Sequence, residues 1–330
     1  MIEIDPAHAH LTTPLAHALG EVERRFEAQL LSEFPAVSDL CEHVSSYRGK
    51  MLRPTMTLVS GIAAAKGDAS ILERDGLIRL AAVVEMIHMA TLVHDDVLDE
   101  ADDRRGGRTV NRLRGNETAV MLGDYLISNA FHLAASIGDA DLTVKLGEIT
   151  NTLCEGELIQ LHHREDLSLD FPTYLEIIRR KTAALVGGCG RLGASVAGGD
   201  EQTCEALGRF GEELGIAFQV RDDILDLYGD ADQVGKTLGR DLAKGKLTLP
   251  VIMLLDSAPP DRFERIVQAF ENRASDELLV LLRESEAMER ALDFARDRVD
   301  AGIAAIDGLD LGGTELLLRD LASSVVDRNR

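Results

Sequence analysis

The chain has 330 residues, 45% of them hydrophobic, and a formal net charge of −22 at pH 7. This apolar fraction argues against disorder, and the acidic balance argues against binding nucleic acid through a basic surface. The four cysteines are too few and too widely spaced for a disulfide scaffold or a zinc site, so we interpret them as free thiols in a reducing cytoplasm.

Helices are predicted for nearly the whole chain. Aromatic residues make up only 4% of the sequence, and no proline occurs in residues 55–171 or 173–249, which leaves room for long helices. Apolar residues recur at i, i+3 and i+4, and short Gly or Pro breaks separate the segments. We predict one all-α domain over residues 1–330, a bundle of ten or more helices of about 10–25 residues each.

The N-terminal segment has no basic stretch followed by an apolar run, so we expect no signal peptide. No segment offers about 18 apolar residues without a charge, so we expect no membrane span. These features predict a cytoplasmic protein.

The strongest chemical signal is the pattern D-D-x-x-D, which occurs twice. On a helix, residues i and i+4 share a face and i+1 lies about 100° away. Like charges at this spacing cost roughly 0.2–0.5 kcal/mol per pair. Mg²⁺ would remove the repulsion, because it binds carboxylate oxygens and shares its shell with substrate phosphates. We therefore predict that the metal ligands are Asp95, Asp96, Asp99, Asp222, Asp223 and Asp226.

Solvated acidic faces are the alternative interpretation of these motifs. Two copies with identical spacing, both within apolar helices, favour metal binding over that alternative. An EF-hand is excluded, because neither motif continues into the required Gly and Glu positions.

Basic residues gather at a few places in this acidic chain. Residues 48–54 (RGKMLRP) precede a predicted helix, RRG at 104–106 follows the first aspartate motif, and further lysines lie at 181, 236 and 246. Such groups opposite a metal ion could hold two anionic ligands, and the planar fork of arginine suits phosphate. Residues 235–237 (GKT) are not a P-loop, because their spacing from the preceding glycine is wrong and the segment before them is predicted as helix.

These residues resemble the trans-isoprenyl (polyprenyl) diphosphate synthase family. The likeness runs in order from about Arg48 to Pro250 and covers residues 85–88 (EMIH), 92–100 (LVHDDVLDE), 104–106 (RRG), 123–126 (GDYL), 181–182 (KT), 218–223 (FQVRDD), 235–236 (GK) and 246–250 (KLTLP).

The resemblance implies an all-α bundle around a central cavity, usually a homodimer, with three Mg²⁺ ions per active site when substrate is bound. It assigns isopentenyl diphosphate to Lys50, Arg53, His88 and Arg105, and the allylic diphosphate to Arg104, Lys181, Lys236 and Lys246. It places Thr182 and Gln219 at the reacting centre, beside Lys181.

The implied reaction is electrostatic. Metal and cationic side chains stabilise the departing diphosphate, the allylic C–O bond ionises, and the isopentenyl double bond attacks the resulting carbocation. A proton is then lost to the released diphosphate. Two departures stand out: Arg48 replaces a usual Gly, and Ser323-Ser324 stand where the family tail usually carries Asp-Tyr.

Product length depends on residues below the first aspartate motif. Bulky aromatics four and five residues before Asp95 stop growth early in the family, whereas Ala90 and Thr91 are small. Ile127 and Phe131, which lie deeper on the next helix, would then limit the length of the growing prenyl chain. The alternative is that both are ordinary core residues. We predict a heptaprenyl to decaprenyl product that is delivered to membranes, with geranylgeranyl diphosphate synthase as the alternative.

Two alternative functions come from other classes of protein. A terpene cyclase would lack the second D-D-x-x-D motif and the basic site of Lys50, Arg53 and His88, and all of these are present. A non-catalytic partner subunit would typically lose one aspartate motif, and both are intact.

Overall fold

Helices account for most of the computed structural model, which describes residues 9–45, 47, 49–228 and 239–326. The helices are α1 (Ala9–Gln29), α2 (Pro35–Ser45), α3 (Leu52–Ala64), α4 (Asp75–Leu98), α5 (Val110–Arg114), α6 (Asn116–Ala135), α7 (Ala140–His162), α8 (Phe171–Ile178), α9 (Ala184–Ala197), α10 (Glu201–Tyr228), α11 (Arg240–Ala243), α12 (Leu249–Ser257), α13 (Pro260–Glu271), α14 (Ser275–Arg283), α15 (Ala287–Ile306) and α16 (Thr314–Val326). A 3₁₀ turn covers Ala69–Glu73. The all-α prediction is confirmed.

A small hairpin follows α4 and was not predicted. Its strands, β1 (Asp103–Arg104) and β2 (Gly107–Arg108), pair antiparallel with Asp103 opposite Arg108. The two turn residues both have positive φ, 49° at Arg105 and 79° at Gly106. Positive φ at both central positions is what a two-residue hairpin with a type I′ turn requires. The RRG segment therefore forms a turn that fixes the direction of both arginines.

A π-helical segment joins α8 to α9. It covers Arg179–Ala183, and the backbone N–H of Ala184 donates to the carbonyl of Arg179, five residues earlier. Such segments are rare and occur frequently at functional sites. This one contains Lys181 and Thr182, which are both predicted site residues.

The described chain divides into two compact units. The first contains the described residues up to Thr150, together with Leu185–Gly211 and Ala305–Leu321. At its centre, α4 packs against α1, α3 and α6, and fourteen of its residues are buried. Apolar side chains occur on all faces of α4, as expected for a helix that is covered by protein on all sides.

Length and composition alone would allow α4 to cross a membrane. Its most apolar window has a mean hydropathy of 1.7, but 72% of that window is buried inside the protein. Because core helices share this composition, the feature is weak evidence for a membrane span.

The second unit contains Asn151–Ala184, the described part of Glu212–Ala304 and the described residues from Ala322 onward. Its apolar core is built from α8, the end of α10, and α12 to α15. An edge-to-face pair of Phe171 and Phe294, with ring centroids 5.2 Å apart, adds to it. The prediction that residues 1–330 form one domain stays a prediction.

Candidate active site

The first aspartate motif lies at the C-terminus of α4. The helix ends at Leu98, and the backbone N–H of Asp99 donates to the carbonyl of Asp95 at 2.8 Å. The side chains of Asp95 and Asp99 are both partly exposed one turn apart, whereas Asp96 is only 1% exposed. The middle carboxylate therefore faces the core instead of joining the other two.

Asp96 forms a buried ion pair with Arg104 of β1. The guanidinium donates from Nη2 at 2.7 Å and from Nε at 2.9 Å to Asp96 Oδ1. Burial disfavours the arginine charge, but the hydrogen bond and the charge of Asp96 outweigh it and raise the pKa of Arg104. This ion pair connects the hairpin to the end of α4.

Arg105 reaches the segment that contains the first basic motif. Its Nη1 donates to the carbonyl oxygen of Tyr47. A Cβ on Gly49 would lie 2.6 Å from Arg105 Nη2, so a larger residue there would displace the guanidinium. Met51 then adopts a left-handed φ of 55° and is the N-cap residue of α3. Lys50 is exposed in this segment.

His88 is partly buried near three arginines. Burial, and then the charges of Arg53, Arg105 and Arg104, lower its pKa well below 6.5. The imidazole is therefore neutral at pH 7. Burial also lowers the pKa of Arg53, which the carboxylate of Glu85 opposes. The structure thus brings four of the predicted diphosphate-binding residues close enough for their charges to act on one another.

The second aspartate motif lies near the end of α10. Asp223 is only 4% exposed and accepts hydrogen bonds from Tyr174 Oη at 2.6 Å and from Gln219 Nε2 at 2.9 Å. Burial, and then the charges of Asp241 and Asp222, raise its pKa to about 8 against these two bonds. Asp222 and Asp226 are partly exposed.

Five of the predicted site residues line a pocket in the second unit. The space not filled by protein atoms in this pocket is about 640 Å³, a volume that includes open solvent. The predicted residues in its lining are Lys181, Thr182, Gln219, Asp223 and Lys246. The Thr182 hydroxyl donates to Gln219 Oε1 at 2.9 Å, and Lys181 pairs with Glu157.

The metal prediction is not tested by this geometry. Among residues 9–45, 47, 49–228 and 239–326, no three His, Cys, Asp or Glu side chains converge closely enough to hold an ion. The donor set nevertheless fits Mg²⁺, because Asp95 with Asp99 and Asp222 with Asp226 offer partly exposed carboxylates at helical spacing.

The predicted product-length residues lie on α4 and α6, two helices that pack together. Ala90 is fully buried, and the Thr91 hydroxyl donates to the carbonyl of His88 at 2.8 Å. Ile127 and Phe131 are partly buried on α6. Lys236 and Arg48 lie outside the described residues, and Ser323 and Ser324 lie in α16.

Comparison with known proteins decides the family. Residues 34–282 match the polyprenyl synthetase family. The chain belongs to the polyprenyl synthetase family. An octaprenyl diphosphate synthase from Haemophilus influenzae is 34% identical over 315 residues, 94% of each chain.

Solved polyprenyl synthases share the fold. A structure from Caulobacter crescentus, complexed with calcium and isoprenyl diphosphate, is 34% identical, covers 97% of both chains and has a TM-score of 0.88. A decaprenyl diphosphate synthase from Rhodobacter capsulatus is 32% identical, covers 98% of this chain and 99% of its own, and has a TM-score of 0.89.

Sequence reasoning about this polyprenyl synthetase missed Tyr174, Glu157 and Asp241, which contact predicted site residues. It also missed which aspartates are buried. Asp96 follows Met89 and Val93 at helical spacing, and Asp223 lies between Val220 and Leu227. Each second aspartate therefore continues an apolar stripe, a signal that is present in the sequence.

Proposed function

We propose that the protein is a trans-polyprenyl diphosphate synthase. It condenses isopentenyl diphosphate with an allylic diphosphate in successive head-to-tail steps and makes an all-trans product of heptaprenyl to decaprenyl length. The observation that carries this proposal is the match over 94% of the chain to an octaprenyl diphosphate synthase. Geranylgeranyl diphosphate synthase is the less favoured alternative, because the similar relatives described above make octaprenyl and decaprenyl products.

The metal ligands that we propose are Asp95, Asp99, Asp222 and Asp226. Asp96 and Asp223 were predicted alongside them, but both are buried, whereas the other four are partly exposed. Asp226 Oδ2 also accepts a hydrogen bond from the backbone N–H of Asp241 at 3.1 Å. Magnesium, when bound, neutralises diphosphate charge and favours its departure. We expect three ions per active site when substrate is bound.

Different basic residues then bind each of the two substrates. Isopentenyl diphosphate is held by Lys50, Arg53 and Arg105, with the neutral His88 acting through hydrogen bonds instead of charge. The allylic diphosphate is held by Lys181, Lys246 and Lys236. Arg104 contributes less directly, because its guanidinium is occupied by Asp96.

The reacting centre needs no side-chain nucleophile. Lys181, Thr182 and Gln219 lie together in the pocket of the second unit. The oxygens of Thr182 and Gln219 are suited to face a developing allylic cation, since lone pairs aimed at positive charge stabilise it. The released diphosphate takes the proton that completes each condensation.

We also propose a cytoplasmic homodimer. The described helix α7 carries exposed apolar side chains at Val144 (59%) and Leu158 (66%), fourteen residues apart and hence on nearly one face. Exposed apolar side chains on one helix are suited to pairing with a second copy. Analytical ultracentrifugation of the wild type and of Leu158→Arg tests this: we expect a dimer for the first and a weakened dimer for the second.

Turnover of radiolabelled isopentenyl diphosphate with an allylic primer and Mg²⁺, followed by chromatography, tests the activity. We expect long-chain prenyl diphosphates, no activity after chelation of the metal, and a loss of about 1,000-fold in Asp95→Ala and in Asp222→Ala. A cyclised hydrocarbon would identify a terpene cyclase. No product without a second protein would identify a partner subunit.

A further inference from the structure

A directed chain of hydrogen bonds crosses the pocket of the second unit. Tyr174 Oη donates to Asp223 Oδ2 at 2.6 Å, and Gln219 Nε2 donates to Asp223 Oδ1 at 2.9 Å. The Thr182 hydroxyl donates to Gln219 Oε1 at 2.9 Å. All four side chains line the pocket, and three of them, Thr182, Tyr174 and Asp223, are buried.

The direction of this chain follows from donor and acceptor chemistry. A carboxylate oxygen accepts, so the Gln219 side chain must present its NH₂ group to Asp223 and its oxygen to Thr182. Thr182 has one hydroxyl hydrogen and donates it to that oxygen. With Asp223 ionised, both of its oxygens accept and this direction is fixed. With Asp223 neutral, the direction is kept when the proton is on Oδ2 and Tyr174 Oη accepts it, whereas a proton on Oδ1 would be donated to Gln219 Oε1 and would reverse the amide.

The consequence appears at the pocket-facing end of the chain. With its hydrogen engaged, the Thr182 hydroxyl has only lone pairs left to offer to a ligand. If the Gln219 amide were reversed, its NH₂ group would donate to Thr182, and the threonine hydrogen would be released toward the pocket. A donor aimed at an allylic cation would destabilise it, whereas lone pairs stabilise it.

We propose that Tyr174 and Asp223 are positioning residues that fix the orientation of the Gln219 amide, so that Thr182 and Gln219 present oxygen lone pairs to the allylic cation. This proposal rests on the proposed prenyl transfer. It assigns Asp223 to the protein-facing side of its motif, separate from the metal-binding role proposed for Asp222.

The apolar surroundings support this assignment. Asp223 stands between Val220 and Leu227 on the core-facing side of α10, and Tyr174 lies in the same buried cluster. A buried carboxylate is costly unless its hydrogen bonds are satisfied. Here Asp223 Oδ2 accepts a hydrogen bond from Tyr174 and Asp223 Oδ1 accepts one from Gln219.

Steady-state kinetics of Asp223→Leu and Asp223→Asn provide the test. Asp223→Leu keeps the approximate volume but removes the acceptor, so we expect kcat to fall about 10- to 100-fold while KM for the allylic substrate changes little. Asp223→Asn keeps one acceptor oxygen for Gln219, and Tyr174 can accept from the new amide. We expect this variant to retain kcat within about threefold of wild type.

Asp222→Asn is the matched control one residue away. We expect it to lose about 100- to 1,000-fold in kcat and to need more Mg²⁺, whereas Asp223→Asn keeps the wild-type Mg²⁺ dependence. If Asp223→Asn is impaired like Asp222→Asn, Asp223 acts as a metal ligand and the proposal is wrong. A fully active, folded Asp223→Leu also overturns it.

Two measurements keep the test decisive if Asp223→Leu does not fold. The comparison of Asp223→Asn with Asp222→Asn needs only isosteric variants. Tyr174→Phe should lower kcat a few-fold at unchanged KM, and a change confined to KM would contradict the proposal. A wild-type protein that forms no prenyl diphosphate would instead overturn the proposed function itself.

Discussion

His88 shows how partial burial beside cationic side chains decides the role of a residue. Three arginines act on it, and burial keeps it neutral, so its pKa lies well below 6.5. In the unfolded chain the imidazole takes up a proton below about pH 6.5. The unfolded state then binds more protons than the folded state, and stability falls as the pH decreases.

We predict that His88→Gln removes this pH dependence. Between pH 7.5 and 5.5, the wild type should lose up to about 1.4 kcal/mol per pH unit below 6.5 that the variant keeps. Urea unfolding at both pH values measures the difference. Because a neutral amide also donates a hydrogen bond, KM for isopentenyl diphosphate should change little. An equal pH dependence in both proteins would show that His88 is protonated in the fold.

The ion pair of Asp96 and Arg104 provides the second residue-scale prediction. The side chains are only 2% and 20% exposed, and removing one member of a buried pair costs about 3–5 kcal/mol. We expect Asp96→Ala to destabilise the protein by this amount in denaturant unfolding. The control is Asp102→Ala, whose exposed pair with Arg112, at 3.4 Å, should contribute at most about 1 kcal/mol. Equal effects would contradict the assignment.

At the scale of elements, α7 packs closely against the π-helical segment at Gly156. A Cβ there would lie 2.5 Å from the backbone nitrogen of Lys181 and 2.9 Å from its Cα. Backbone atoms cannot move away as a flexible side chain can. The glycine therefore permits the close packing that places Lys181 in the pocket.

We expect Gly156→Ala to destabilise the protein by about 1–3 kcal/mol and to lower kcat, because Lys181 must shift. Gly20→Ala in α1 is the matched control, since a Cβ there meets nothing within 4 Å. It should stabilise by up to about 1 kcal/mol. Thermal unfolding with parallel kinetics measures both. A Gly156→Ala protein with wild-type stability would mean that the helices separate easily.

At the scale of the whole molecule, product length tests the channel interpretation. Thr91 is partly buried one turn before Asp95, with Ala90 fully buried beside it. Since a helical turn rises about 5.4 Å, close to one isoprene unit, we expect Thr91→Phe to shorten the product to a few isoprene units. Thr91→Val should leave it unchanged. Chromatography of dephosphorylated products measures this, and a full-length product from folded Thr91→Phe would rule out the channel.

The sequence was sufficient for part of this picture. Helical spacing and scarce proline predicted the all-α fold, and the two repeated motifs located the aspartates on α4 and α10. It was insufficient for contacts between residues distant in the chain. The bond from Tyr174 to Asp223 spans 49 residues, and spacing within one helix cannot reveal such a partner. The hairpin was missed because its strands are two residues long.

The π-helical segment at Arg179–Ala183 makes the site sensitive to chain length. A π turn holds one residue more than an α turn. Deleting one residue here would let the segment become α-helical with the flanking helices still in register, but the side chains within the segment would be redistributed around the helix at about 100° per residue. Lys181 and Thr182 would then leave the pocket although no side chain had been replaced. For this family member, a single-codon deletion in these five positions would abolish activity that most point substitutions there only reduce.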